Sequence, residues 1–171
     1  MIEIVEDTNI MTDLFNTGLI KYYQHLNMEF HTTVYVYKEI GDPRQKEIIT
    51  GLIMNGLLTI DSFEGEDFDI LTNTIKEAEG KNNLSEADWS VLLLAERLHC
   101  RLLTSDRKLV HQARLRGVEA NGFLWLTEQM VEQSVITEST MADCLQLYKD
   151  TNSRAPEPET TDRIKRYKRI E

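Results

Sequence analysis

The feature that most constrains this chain is an alternation of short β-branched runs with longer segments of helical period. Residues 2–6, a very short run at 30–32, and runs at 57–60, 101–104 and 118–120 read as strands. Between them apolar residues recur at three- and four-residue intervals, the spacing of one buried helix face. Strands joined through helices pair in parallel, because the chain must cross back before it can run the same way again. The expected fold class is therefore α/β, a three-layer α/β/α sandwich on a five-stranded parallel sheet.

The most informative stretch runs from residue 84 to residue 109. Ser85 is a natural N-cap with Asp88 three residues on, and Val91, Leu94, Ala95 and Leu98 follow at helical spacing. A short strand at 101–104 comes next, and Ser105 and Asp106 stand where its carboxyl end falls. A helix feeding a parallel strand runs opposite to it, so the start of the helix and the end of the strand share one edge of the sheet. Asp88 and Asp106 are thus expected together, at the edge where open α/β sheets bind ligands. Asp7, followed by Thr8 and Asn9, ends the first strand and brings a third carboxylate to that edge. The plain alternative is that each of these acids only caps a helix. For residues 30–40 we expect the short strand and then a helix capped at Thr32 or Thr33, with Glu39 about two turns in. Pattern alone reads Glu39 as a solvent-facing acid.

Elsewhere the punctuation is clear. Asp42-Pro43 starts a helix with Ile48, Ile49, Leu52 and Ile53 as its inward stripe, and Asn55-Gly56 stops it. Residues 63–69 open a helix with Phe68, Leu71 and Ile75 inward. Helices are also expected at 19–26, after Asp106, at 124–131 and at 138–148, and the Pro-containing stretch 152–158 precedes a short basic helix. No dinucleotide fingerprint, P-loop, zinc-type Cys/His spacing or nucleophile elbow is present. Cys100 and Cys144 read as reduced core thiols. No apolar run is long enough to span a membrane and the first residues lack the regions of a signal peptide, so a cytoplasmic protein without membrane contact is expected. The net charge of −10 argues against a protein that coats nucleic acid generally. It leaves room for an enzyme whose acids gather around a cation. Against that background, residues 163–169 form a dense basic cluster, readable as a solvated helix face or as a phosphate-contacting arm.

Several carboxylates in one pocket repel each other and do not all ionise without a counter-charge. Carboxylate oxygens suit hard divalent ions, Mg²⁺ or Mn²⁺, which can activate a water against a phosphodiester. Thr8, Asn9, Thr104 and Ser105 would supply hydroxyl and amide groups to orient ligands and waters.

Asp7-Thr8-Asn9 after an opening strand, Val36-x-x-Glu39, Leu84-Ser85-x-x-Asp88 and Leu103-Thr104-x-Asp106-x-x-Leu109 together resemble the PIN-domain family. So does Gly117-Val118-Glu119-x-x-Gly122-x-Leu124-Trp125. The resemblance runs from residue 1 to about 136 and implies a PIN-like, Rossmann-like nuclease domain there, with sheet order 3-2-1-4-5. Residues 137–171 would be a C-terminal helical extension with a basic tail, and residues 152–159 resemble an extension on one branch of stand-alone bacterial PIN proteins. The resemblance implies a metal-dependent endoribonuclease acting on RNA, with Asp7, Glu39, Asp88 and Asp106 catalytic. Asp7, Asp88 and Asp106 would hold Mg²⁺ or Mn²⁺. For a VapC-like member it also implies a toxin restrained by a small antitoxin protein, and a homodimer. One departure is that Arg107 and Lys108 follow Asp106 where some members carry a further acid, which implies a single tightly held metal. The competing readings are a non-catalytic module that holds a metal or a partner's arginine in the same pocket, and a phosphatase for small phosphate esters.

Overall fold

Residues Ile4 and Val5 are fully buried in the first strand, and they place that strand at the middle of the sheet. The structure is a computed structural model that describes residues 1–169, so the last two positions of the predicted extension lie outside the described residues. It resolves into two compact units. The first comprises residues 1–10 and 28–122, and the second comprises 11–27 and the residues from 123 onward, so the 136/137 boundary read from the sequence lies inside the second.

The first unit holds the sheet. Its strands are β1 (Ile2–Glu6), β2 (Met28–Thr33), β3 (Leu58–Asp61), β4 (Arg101–Leu103) and β5 (Ala120–Asn121). All neighbours pair in parallel in the order β3-β2-β1-β4-β5, the expected class and the expected order. β2 is longer than the sequence pattern marks, because Met28 and Glu29 already pair with Ile2 and Glu3 of β1. The direction in which strands are added reverses between β1 and β4, and at such a reversal the connections leave a crevice outside the carboxyl ends.

Six helices belong wholly or partly to this unit: α1 (Thr8–Asn16), α2 (Val34–Glu39), α3 (Pro43–Met54), α4 (Glu66–Ala78), α5 (Glu86–Leu98) and α6 (Arg107–Leu115). α1 only begins here. α5 was expected to bury one stripe but is buried nearly all round: Ala87 and every residue from Trp89 to Ala95 are out of water. The cause is its position against β1, β2 and β4, with α2, α4 and α6 around it. α3 starts as read: Asp42 Oδ1 accepts from Arg44 N (2.8 Å) and Gln45 N (3.0 Å), with Pro43 at the first position. It packs on β3, an edge strand, so only Ile49 of the predicted stripe is fully buried and Ile48 stays 38% exposed. In α4, Leu71 turns inward as expected, but Phe68 is 44% exposed. The first turn of α4 is fixed instead by Asp67, which accepts from Arg97 Nη1 of α5 at 2.5 Å.

The second unit is helical. It contains the remainder of α1, a 3₁₀ helix (Leu19–His25) where an α-helix was expected, and α7 (Phe123–Glu132), α8 (Glu138–Thr151) and α9 (Glu159–Lys168). Met11, Leu14, Leu19, Phe123, Met130, Met141, Leu145 and Tyr148 form its apolar core, and the rings of Phe123 and Tyr148 lie 4.5 Å apart. One acid is sunk in this unit. Asp13, on α1, is 7% exposed and accepts from Asn152 Nδ2 at 3.0 Å.

Burial pushes the Asp13 carboxyl up to about 6 from 3.8, and the Asn152 bond opposes this only in part. The folded protein therefore keeps a proton there that the unfolded chain has already released. Stability is lost as pH rises from 3.8 through about 6, and the cost is complete above that. Asp13→Asn is expected to stabilise the protein by about 2 kcal/mol at pH 7–8 and to make no difference below pH 3.8. Urea melts of the two proteins across this range check both the sign and the window.

Candidate active site

β1 gives out at Glu6, but the ladder continues for one more bond, Asp7 N donating to Leu103 O of β4 at 3.0 Å. That bond draws Asp7 into the crevice between β1 and β4 and leaves it 3% exposed. Its carboxylate is met by donors on every side. Thr8 N reaches Oδ1 at 2.7 Å, while Thr104 Oγ1 (2.8 Å) and Asn9 Nδ2 (2.5 Å) both reach Oδ2. Thr104 follows β4 and is wholly buried; its hydroxyl oxygen also accepts from Asn9 Nδ2 (3.2 Å) and Asp106 N (3.1 Å). Asn9 Oδ1 in turn accepts from the exposed Ser105 N at 2.9 Å. Thr104 and Asn9 thus tie the segments that follow β1 and β4 to one another and to Asp7.

The other predicted acids arrive on helix ends. Asp106 is the N-cap of α6, and its Oδ1 accepts from Lys108 N (2.7 Å) and Leu109 N (3.3 Å). Asp88 completes a capping box on α5: its Oδ2 accepts from Ser85 N (2.7 Å), and its own N–H donates to Ser85 Oγ (3.1 Å). Glu39 is the last residue of α2 and is exposed, yet it faces the same edge, because Thr8 Oγ1 donates to its Oε2 at 3.1 Å. α2 begins as the sequence implied, with Thr33 Oγ1 accepting from Val36 N at 3.2 Å. Ser90 was not singled out in the sequence, since a serine on an apolar helix face has no distinguishing pattern. It donates to Ala87 O (2.7 Å), and its hydroxyl oxygen takes the Thr33 proton (2.7 Å), which fixes α5 against the start of α2.

The acids share one electrostatic field. Burial pushes Asp7 up to about 6, and the negative charges of Asp88 and Glu39 push the same way. The Thr104 and Thr8 hydrogen bonds oppose them. Asp88 is raised as well, by burial first and by Asp106 in addition, against its two bonds with Ser85. Among the described residues no three acids, histidines or cysteines converge at ligating distance. The carboxylates of Asp7, Asp88 and Asp106 are each turned onto nearby donors. The donor set itself, carboxylates with hydroxyl and amide groups behind them, has the chemistry of a hard divalent cation site. Asp7, Asp88 and Asp106 are the residues that would hold such an ion. Arg107 and Lys108 are exposed at the rim.

Other expectations from the sequence fall outside this edge. Cys100 and Cys144 are free thiols, half-buried, and both are pushed up chiefly by burial. Trp89 is buried in the core. No helix among the described residues is long and apolar enough to cross a membrane.

A family model described as a PIN domain matches residues 3–169. No curated protein is significantly similar. Among solved structures, a PilT N-terminus domain protein from the hyperthermophilic archaeon Sulfolobus solfataricus P2 is similar at 15% identity and a TM-score of 0.45, over 77% of this chain and 93% of that one. With the family model spanning nearly the whole sequence, the chain belongs to the PIN-domain family, whose members are generally nucleases that use divalent metals.

Proposed function

We propose that this protein is an endoribonuclease that depends on Mg²⁺ or Mn²⁺ and hydrolyses RNA phosphodiester bonds at the carboxyl edge of β1 and β4. The observation that carries the reading is Asp7, an acid 3% exposed whose carboxyl is raised to about 6 while Asp88 and Glu39 add their charge to the same pocket. Three carboxylates, Asp7, Asp88 and Asp106, would hold the cation, and Glu39 completes the acid set through Thr8. When bound, such an ion lowers the pKa of a water and offsets the charge that develops on the phosphate. Thr104 and Asn9 hold the Asp7 carboxylate in one orientation, and Thr8 does the same for Glu39. Glu39, Ser105, Arg107 and Lys108 are all exposed, which leaves the edge open to a polymer. The same activity would suit the toxin of a type II toxin–antitoxin module, with a small antitoxin as its partner.

Wild type, Asp7→Asn and Asp106→Asn are compared in Mn²⁺ titrations, by thermal shift and by cleavage of RNA. Mn²⁺ is expected to raise the melting temperature of wild type and to leave Asp7→Asn unmoved, and RNA cleavage by either variant is expected to fall at least about a hundredfold. Stabilisation by Mn²⁺ with no RNA cut assigns the pocket to a non-catalytic module. Turnover of a generic phosphomonoester alone assigns it to a phosphatase. Equal responses from all three proteins reduce the acids to helix caps.

Thr104→Val tests the positioning role separately. It removes the hydroxyl that donates to Asp7 and accepts from Asn9 and Asp106 N. Because the Thr104 bond lowers the Asp7 carboxyl, its loss raises it further, and the acid limb of the cleavage profile is expected to move to higher pH. Activity at neutral pH is expected to fall about 10–100-fold. A uniform fall at every pH, with no movement of the limb, would contradict this role.

A further inference from the structure

α9 buries Thr160, Ile164 and Tyr167 against the rest of the second unit, where its neighbour is α8. Its last turn and C-cap carry Lys165, Arg166, Lys168 and Arg169, all exposed. Elsewhere in the molecule the arginines that reach a carboxylate have one largely to themselves. Arg101 pairs with Glu119, Arg116 with Glu96, and Arg97 with both Asp61 and Asp67. In the second unit, Arg163 and Arg166 share a single acid, Glu128, at 2.9 and 3.3 Å. Among the described residues Lys165, Lys168 and Arg169 have no ion-pair partner at all.

Cations without an ion pair also occur elsewhere among the described residues, Arg107 and Lys108 for example, but only at 163–169 do five lysines and arginines fall within seven residues of a chain with 29 acids and 19 lysines and arginines. The negative end of the helix dipole attracts cations to a last turn. Set against that, Lys165 and Lys168 stand at i, i+3 and Lys165 and Arg169 at i, i+4, spacings at which like charges repel. The helix dipole and Asp162, one turn before Lys165, offset part of that repulsion, and a polyanion would relieve the rest.

We propose that the outer face of α9, made of Lys165, Lys168 and Arg169 with Arg166 beside them, binds the phosphodiester backbone of single-stranded RNA. The identity of the ligand rests on the nuclease reading above, in which a protein of net charge −10 must hold a polyanion near a set of acids. Contacts of this kind carry affinity without reading sequence.

The test is fluorescence anisotropy with a labelled oligouridylate 20-mer in EDTA, so that binding is measured without turnover. It compares wild type with the triple variant Lys165→Gln/Lys168→Gln/Arg169→Gln, which leaves Arg163, Arg166 and the Glu128 pairs in place. We expect the variant to melt as wild type does, to bind at least about tenfold more weakly at low salt, and to lose about 2 from the slope of log K against log salt. In Mn²⁺, its KM for the RNA rises with kcat unchanged. Equal affinity and equal slope for the two proteins overturn the proposal, as does a wild type that binds no RNA. A change of oligomeric state in the variant with RNA affinity unchanged assigns the face to a second copy of the chain and also overturns it. RNA bound through α9 but never cut removes the nuclease reading and leaves this one standing. Cleavage with an unaltered KM does the reverse.

Discussion

The carboxylate of Asp7 lies where the order of strands reverses, held out of water by the last bond of the β1–β4 ladder and by three side- and main-chain donors. The rest of the candidate site is arranged around that group. Thr104 reaches it from β4, and Asn9 reaches both it and the segment after β4. Thr8 links its neighbourhood to Glu39 on α2. A carboxylate so enclosed costs free energy to ionise, and the donors around it recover only part of that cost. The pocket therefore favours either a proton on Asp7 or a positive charge beside it.

What holds Asp88 in reach of Asp7 is the burial of α5. Val91, Leu92 and Leu94 are fully buried on that helix, and each contributes about 1.5–3 kcal/mol of apolar burial. The capping box at its start is worth about 1 kcal/mol. Packing against β1, β2 and β4 thus decides where the helix lies, and the cap decides only how its first turn is finished. The Thr33–Ser90 hydroxyl pair adds a direction to that packing, since it locks one face of α5 to the end of β2 where α2 begins.

Much of this was legible in the chain because the relevant signals are local. Alternation of strand and helix fixes a parallel sheet. The opposite run of helix and strand places Asp88 and Asp106 on one edge without any knowledge of distance. The strand order came through resemblance, since no local pattern encodes which strand lies beside which. Other features were illegible for the same reason. On local pattern Glu39 looks like any surface acid and only the resemblance marks it; its contact with Thr8, 31 residues away, carries no local signal. Asp13 and Asn152 are 139 residues apart; Asp13 belongs to no pattern, and the resemblance that covers Asn152 names no partner for it. Phe68 obeys the helical period but faces water, because an ion pair and not the apolar period anchors the start of α4. The division into two units, which threads residues 11–27 into the same body as α7, α8 and α9, has no marker in composition or turn chemistry.

Asp7, Asp88 and Asp106 each stand at the start of a helix, and each hands part of its carboxylate to main-chain N–H groups or to the residue that opens the turn. The capping reading and the site reading were set against each other on the sequence, yet the geometry makes them compatible. A carboxylate has four lone-pair positions, and a cap uses one or two. The consequence is evolutionary: at these positions fold and chemistry are encoded in the same atoms, so drift that replaces one of these acids with a residue lacking a capping oxygen also loosens the helix start. A lineage that abandoned the chemistry would retain selective reason to keep the acids, and an acid found at such a position is by itself poor testimony that its bearer still turns over substrate.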